Sequence, residues 1–207
     1  PRLGPVARAL HGFRAPCFPT LLETCARVLP FQQLSLDAGT AIAGRLIDRC
    51  GPALTFTGRE WRAFPPPEAI AGASIESLRE VGLSRAKVVA LQSLAGRAIA
   101  GELDAERYRL LPTGAALKAL QALPGIGPWS AAVILLRGLR RMDVFPTGDV
   151  GAARNLPMLL GPPASWSPSD ACTFAKRFGD RRGYLYFLAL GSQLLSRGLI
   201  EGTEAED

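Results

Sequence analysis

Histidine is almost missing from this 207-residue chain, with His11 standing alone. One imidazole near an end excludes a multi-histidine zinc site and offers no convincing base for a distant catalytic triad. Cysteine is scarce as well. Cys17, Cys25, Cys50 and Cys172 lack CxxC spacing and read as buried thiols of a reducing compartment, ahead of a disulfide or a nucleophile. Their scatter argues against a four-thiolate iron–sulfur cluster. No uninterrupted apolar run reaches about 18 residues, so a membrane span is not expected. No signal-peptide pattern is visible either, and a chain beginning at Pro1 is expected to be processed, trimmed or incompletely ordered at its N-terminus.

Apolar residues make up 48% of the chain, enough to bury a real core. Basic residues outnumber acidic ones by 24 to 18, giving +6, and the acids are unevenly placed. Four lie in the last seven residues, Glu201 to Asp207; without that acidic tail the balance is 24 against 14, or +10. Such a charge favours a polyanionic partner bound less tightly as salt rises. A solubilising arginine-rich surface explains the same balance.

Helical spacing dominates the pattern. Phe18, Leu21, Leu22, Cys25, Val28 and Leu29 form one apolar stripe. Ser35 is placed to cap a helix bearing Leu36, Ala43, Leu46 and Ile47. A short strand is expected near Leu54 to Thr57. Ser74 and Ser77 precede short helical patterns, and Ser84 precedes a longer one with Val88, Leu91, Leu94, Ala95 and Ile99. A helix from Thr113 is followed by one carrying Ala132, Leu135, Leu136 and Leu139. Asp149 opens another helix, Gly161-Pro162-Pro163 reads as a linker, and Ser167 or Ser169 caps the next. The last long helix is expected from about Tyr184 to Leu195. The protein is therefore expected to be all-α, while periodicity alone does not separate one lobe from two.

The most informative stretch is Leu123-Pro124-Gly125-Ile126-Gly127-Pro128-Trp129-Ser130-Ala131, with Asp149 downstream in Val144-Phe145-Pro146-Thr147-Gly148-Asp149. It has the form of a helix, a glycine hairpin and a second helix opened by Pro128. The first turn of a helix has unpaired N–H donors at a positive dipole end, which suits a phosphate. Gly125 and Gly127 permit tight turning and close approach. Local roles suffice for some of these residues: Gly125 as a helix C-cap and Asp149 as a helix N-cap.

Together with Phe31-Gln32-Gln33-Leu34-Ser35 and Gly82-Leu83-Ser84-Arg85-Ala86-Lys87, this stretch resembles the helix-hairpin-helix DNA glycosylase superfamily, in its 3-methyladenine DNA glycosylase II branch. The resemblance implies a two-lobe helical fold. One lobe would span 35–147, and the other would combine 1–34 with 148–200, leaving 201–207 as the acidic tail. Some relatives have an additional N-terminal mixed α/β domain that this sequence lacks; the expectation is either a compact version or a domain upstream of Pro1. The implied activity is hydrolysis of the N-glycosidic bond of alkylated bases, especially 3-methyladenine, in base excision repair. Alternatives are excision of other damaged or mismatched bases, or a non-catalytic module binding damaged DNA.

Residue by residue, the resemblance makes Asp149 the catalytic carboxylate. It places Trp129, Val133 and Leu190 in the base pocket, the last two where a relative has aromatic residues. Trp129 stands where strand-cleaving relatives carry a Schiff-base lysine, and an indole cannot form that intermediate. Gln33 matches the residue that fills the gap left by a flipped nucleotide, while Gln32 supports its loop. Gly125, Gly127, Ser84, Lys87 and Arg182 are expected to meet DNA, Arg182 alternatively bracing Asp149. The carbonyls of Gln121, Leu123 and Gly125 match a site for a structural Na+ or K+. No cofactor is expected for the chemistry. The expected partner is duplex DNA containing damaged bases, met by a monomer that is cytoplasmic or nucleoid-associated if prokaryotic.

Overall fold

The computed structural model describes residues 3–160 and 165–202; the Gly161-Pro162-Pro163 linker and the tail from residue 203 onward lie outside them. The described residues are mostly helical, as expected, and carry one two-stranded antiparallel sheet. They divide into two units, one of Phe18–Ile134 and one of Pro1–Cys17 with Leu135–Asp207.

The Phe18–Ile134 unit holds α2 (Leu21–Val28), a 3-10 turn at Leu29–Phe31, α3 (Leu36–Cys50), β1 (Ala53–Phe56) and β2 (Arg59–Arg62). It continues with α4 (Pro67–Gly72), α5 (Ile75–Glu80), α6 (Arg85–Ile99), α7 (Ala105–Arg109) and α8 (Thr113–Gln121). The start of α9 (Pro128–Leu139) completes it. Side-chain caps set several helix starts. Thr20, Ser35, Ser74 and Ser84 each accept from a backbone N–H three residues on. The strand expected near Leu54 pairs with β2 across Thr57 and Gly58, both at positive φ, as a two-residue hairpin turn requires. Leu29, Leu46, Ile70, Leu78, Leu91, Leu94 and Leu120 are fully buried and form the core, each contributing about 1.5–3 kcal/mol by leaving water.

The other unit holds α1 (Leu3–Ala9), the end of α9, α10 (Val150–Leu160), α11 (Pro168–Ala175), a 3-10 segment Lys176–Arg181 and α12 (Arg182–Ser196). Ala152, Ala153, Leu156, Ala171, Ala175, Leu185 and Ala189 are its buried centre, with Phe145, Trp166 and Phe174 against them. The small residues let α10, α11 and α12 pack closely. Ser167 and Asp170 form a reciprocal capping box at the start of α11.

The division differs from the expected boundaries at 34/35 and 147/148. Residues 18–34 belong with the hairpin because α2 packs on α6 and the 3-10 turn packs on α3. Residues 135–147 belong with the last helix. The N–H of Gly183 donates to the carbonyl of Met142 at 2.7 Å, and a side chain at 183 would strike Leu136 Cδ2 at 2.6 Å.

Candidate DNA-contacting hairpin and active-site carboxylate

In the Phe18–Ile134 unit, α8 ends at Gln121 with Ala122 as its C-cap, and the chain turns back through Leu123 to Gly127 before Pro128 opens α9. The turn is closed by Ile126 N–H donating to Leu123 O at 3.2 Å. The two glycines have different reasons to be there. Gly125 sits at φ +72°, where a Cβ would lie 2.7 Å from that of Ala90. The fold itself therefore demands glycine. Gly127 has no positive φ, and nothing lies within 4 Å of a Cβ built there. Packing does not explain it, and the open space leaves room for close approach to the backbone. Gly127 is exposed, and the first turn of α9 carries no acidic side chain to offset its positive dipole end.

Gln33 is far from this turn in sequence and is carried by a loop of the same unit, next to Gln32, which touches the turn at Gly125. Its side chain is exposed and its backbone sits at φ +60°. Gln32 supports the loop, donating from Nε2 to Gly125 O at 2.8 Å and to Ser130 Oγ at 2.9 Å. Ser84 caps α6 by accepting from Lys87 N–H at 3.4 Å. The Lys87 ammonium donates to the Gln32 carbonyl at 2.9 Å, and burial holds its pKa below the ordinary lysine value. Trp129 is half-buried on α9, whereas Val133, one turn later, is only 2% exposed.

Of the expected cation carbonyls, Gly125 O already accepts from Gln32 and Leu123 O from Ile126. Each keeps a second lone pair, so these neutral oxygens still fit a monovalent cation.

In the other unit, Asp149 is 9% exposed at the start of α10. Its Oδ1 accepts from Ala152 N–H at 2.6 Å, which makes it the helix N-cap as well as a buried carboxylate. The helix dipole favours negative charge there. Near it in electrostatic terms is Tyr186 of α12. Burial pushes the Tyr186 hydroxyl above the ordinary tyrosine pKa; Arg137 opposes the shift and Asp149 adds to it. Arg137 Nη2 donates to Tyr186 Oη at 3.4 Å, while Arg137 Nε is buried without a hydrogen-bond partner. Tyr184, two residues away, is 56% exposed, so α12 turns Tyr186 inward and Tyr184 to solvent. Leu190 follows on α12, half-buried. Arg182 opens that helix and donates from Nε to Gly179 O at 2.8 Å, bracing its own turn.

Sequence reasoning missed Arg137. The signal was present: a lone cation within the apolar run Ala131 to Leu139. The cavity of ≈ 350 Å³ lined by Gly44, Ile47, Asp48, Glu60, Trp61 and Arg62 contains none of the expected site residues. Its lining residues belong to α3 and β2.

Residues 27–176 match the family described as HhH-GPD superfamily base excision DNA repair protein. The chain is 29% identical over 159 residues to a DNA-3-methyladenine glycosylase of Bacillus subtilis (strain 168), covering 77% of this chain and 52% of that protein. It is 28% identical over 188 residues to DNA-3-methyladenine glycosylase 2 of Escherichia coli (strain K12), covering 88% and 61%. A solved 3-methyladenine DNA-glycosylase from Archaeoglobus fulgidus superposes with a TM-score of 0.79 at 30% identity, covering 94% of this chain and 66% of that one. The chain thus spans between 52% and 66% of the length of these relatives. The matched residues take in Gln33, Lys87, the hairpin from Leu123 to Trp129, and Asp149, and the chain belongs to the HhH-GPD superfamily of base excision DNA repair proteins.

Proposed function

We propose that this protein is a monofunctional DNA glycosylase that removes alkylated bases, especially 3-methyladenine, from duplex DNA. The observation that carries the reading is Asp149, a buried carboxylate fixed by its own helix cap. Cleaving an N-glycosidic bond leaves positive charge on the sugar as the base departs. A fixed carboxylate stabilises that charge without reorganising. Water adds its oxygen to C1′, and the electron pair of the C1′–N bond leaves with the base. An N3-alkylated adenine carries a positive charge that this pair neutralises, so no strong protein acid is needed at the leaving group. The proton released by water passes to Asp149 and then to solvent.

The other residues bind and orient. The hairpin amides around Gly127 suit a DNA phosphate, and Gln33 suits the gap left by a flipped nucleotide. Trp129 offers a face to an electron-poor base. Its indole supports hydrolysis over strand-cleaving lyase chemistry. A Na+ or K+ on the carbonyls of Gln121, Leu123 and Gly125 would supply electrostatic anchoring of phosphate. The aliphatic Val133 and Leu190 favour selection by fit over further aromatic stacking.

Methylated duplex DNA incubated with the protein is expected to release free base with no strand break until alkali is added. Immediate breaks ending in an elimination product would overturn the monofunctional reading. A panel of 3-methyladenine, 7-methylguanine, hypoxanthine, ethenoadenine and uracil mismatches ranks the substrates, with 3-methyladenine expected first.

A further inference from the structure

The loop that presents Gln33 is held by neighbours rather than by Gln33 itself. On one side, the carbonyl of Gln32 accepts from Lys87 Nζ at 2.9 Å. The Gln32 side chain reaches the hairpin turn at Gly125 O and Ser130 Oγ, at 2.8 and 2.9 Å. On the other side, Ser35 caps α3 by accepting from Ala38 N–H at 3.2 Å. Gln33 lies between these anchors at φ +60°, in the left-handed region that residues with a Cβ occupy at a steric cost. Strain of this kind persists where surrounding contacts over-determine it.

Lys87 is the informative partner. A lysine used only to neutralise phosphate would keep its ammonium in solvent. Here the side chain is half-buried and aimed at a backbone carbonyl, the peptide oxygen immediately before Gln33. Its start on α6 is fixed by the Ser84 cap. The same helix supplies Ala90, against which Gly125 packs. One set of contacts therefore ties the loop, the start of α6 and the hairpin turn together, within a single unit.

We infer that Lys87 and Gln32 are positioning residues that hold the Gln33 loop in its strained, exposed conformation and couple it to the hairpin turn. The inference rests on the reading of Gln33 as the residue that enters the vacated stack. Its physical content is preorganisation: the backbone of the inserting residue is ordered before DNA arrives, so insertion costs less conformational entropy. The coupling also means that a phosphate engaged at the hairpin and the residue that fills the gap share one hydrogen-bond network.

The test uses the full chain and a duplex in which 2-aminopurine stands beside a tetrahydrofuran abasic analogue. Fluorescence reports unstacking, and titration of undamaged duplex between about 50 and 200 mM salt reports phosphate contacts. Lys87→Met is expected to shorten the unstacked state about tenfold while leaving the salt slope unchanged. Lys87→Arg, which keeps a donor, is expected to recover most of that loss. Combined with Gln33→Ala, Lys87→Met is expected to add less than about twofold, because both act through one residue. A slope reduced by about 0.9 would assign Lys87 to a phosphate and overturn the inference. Additive losses in the double variant, or wild-type unstacking by Lys87→Met, would overturn it as well. If Gln33→Ala itself unstacks like wild type, the insertion reading fails first, and the two failures are thereby told apart. Should Lys87→Met not fold, the Lys87→Arg and Gln32→Glu variants carry the same comparison, with Gln32→Glu expected to mimic the loss because a carboxylate cannot donate to Gly125 O.

Discussion

Arg137 Nη2 lies 3.4 Å from the hydroxyl of Tyr186, and the guanidinium carbon lies 5.8 Å from the centre of the same ring. Burial raises the pKa of the phenol, Arg137 opposes that shift, and the charge of Asp149 adds to it. Tyr186→Phe removes the hydroxyl and keeps the ring. Single-turnover base release is expected to fall about three- to tenfold, the size of one hydrogen bond, with DNA affinity unchanged. Equal rates would remove Tyr186 from the surroundings of the carboxylate.

The direction of the Tyr186 shift also sets a pH expectation. The raised value keeps the hydroxyl neutral up to at least the ordinary tyrosine value of 10.0. The ratio of wild-type to Tyr186→Phe rates is therefore expected to stay flat from about pH 7 to 10. A ratio that collapses in that range would mean that the phenol ionises early.

Asp149→Asn is expected to cut base release by roughly two orders of magnitude or more, since the isosteric amide lacks the charge that stabilises the developing cation. Asn is also a good helix N-cap, so stability is expected to change by less than about 1 kcal/mol. Single-turnover kinetics and thermal melting separate the two effects. A folded Asp149→Asn protein with wild-type rates would sink the catalytic assignment.

The hairpin glycines are expected to fail in different ways. Gly125→Ala meets a left-handed backbone costing about 1–2 kcal/mol and crowds Ala90, so it is expected to lower the melting temperature. Gly127→Ala has open space and an ordinary backbone, so stability is expected to hold. Its duplex affinity is expected to drop for damaged and undamaged DNA alike, because phosphate contacts position without reading bases. A lesion-specific defect in Gly127→Ala would count against a phosphate clamp.

Cys25 gives a stability prediction in alkali. Burial pushes its thiol from 9.0 to about 12, and the residue has no exposed surface. Below pH 9 the thiol is protonated in both folded and unfolded chains, so its contribution is complete. Above pH 9 the unfolded chain loses this proton first, and stability is expected to fall by up to about 1.4 kcal/mol per pH unit until the folded value is reached. Urea titrations of wild type and Cys25→Ala under reducing conditions would measure that difference in slope. Parallel slopes would show that Cys25 does not set the alkaline limit.

Much of the local structure was legible in the residues. Ser35, Ser74, Ser84 and Ser167 cap helices because a short side-chain oxygen reaches an N–H three residues on, whatever lies farther away. The Gly125 turn and the Asp149 cap are likewise local, and both lie within the residues 27–176 that match the family. Only the tertiary structure decided that Gln32 meets Gly125 and Ser130, 93 and 98 residues away. Packing also turned the Lys87 ammonium onto the Gln32 carbonyl, brought Arg137 to Tyr186 rather than Tyr184, and drew the unit boundaries at 17/18 and 134/135. The physical reason is range. Caps and periodicity depend on neighbours within a turn or two, whereas hydrogen bonds between distant residues exist only once helices have packed and fixed the direction of each side chain.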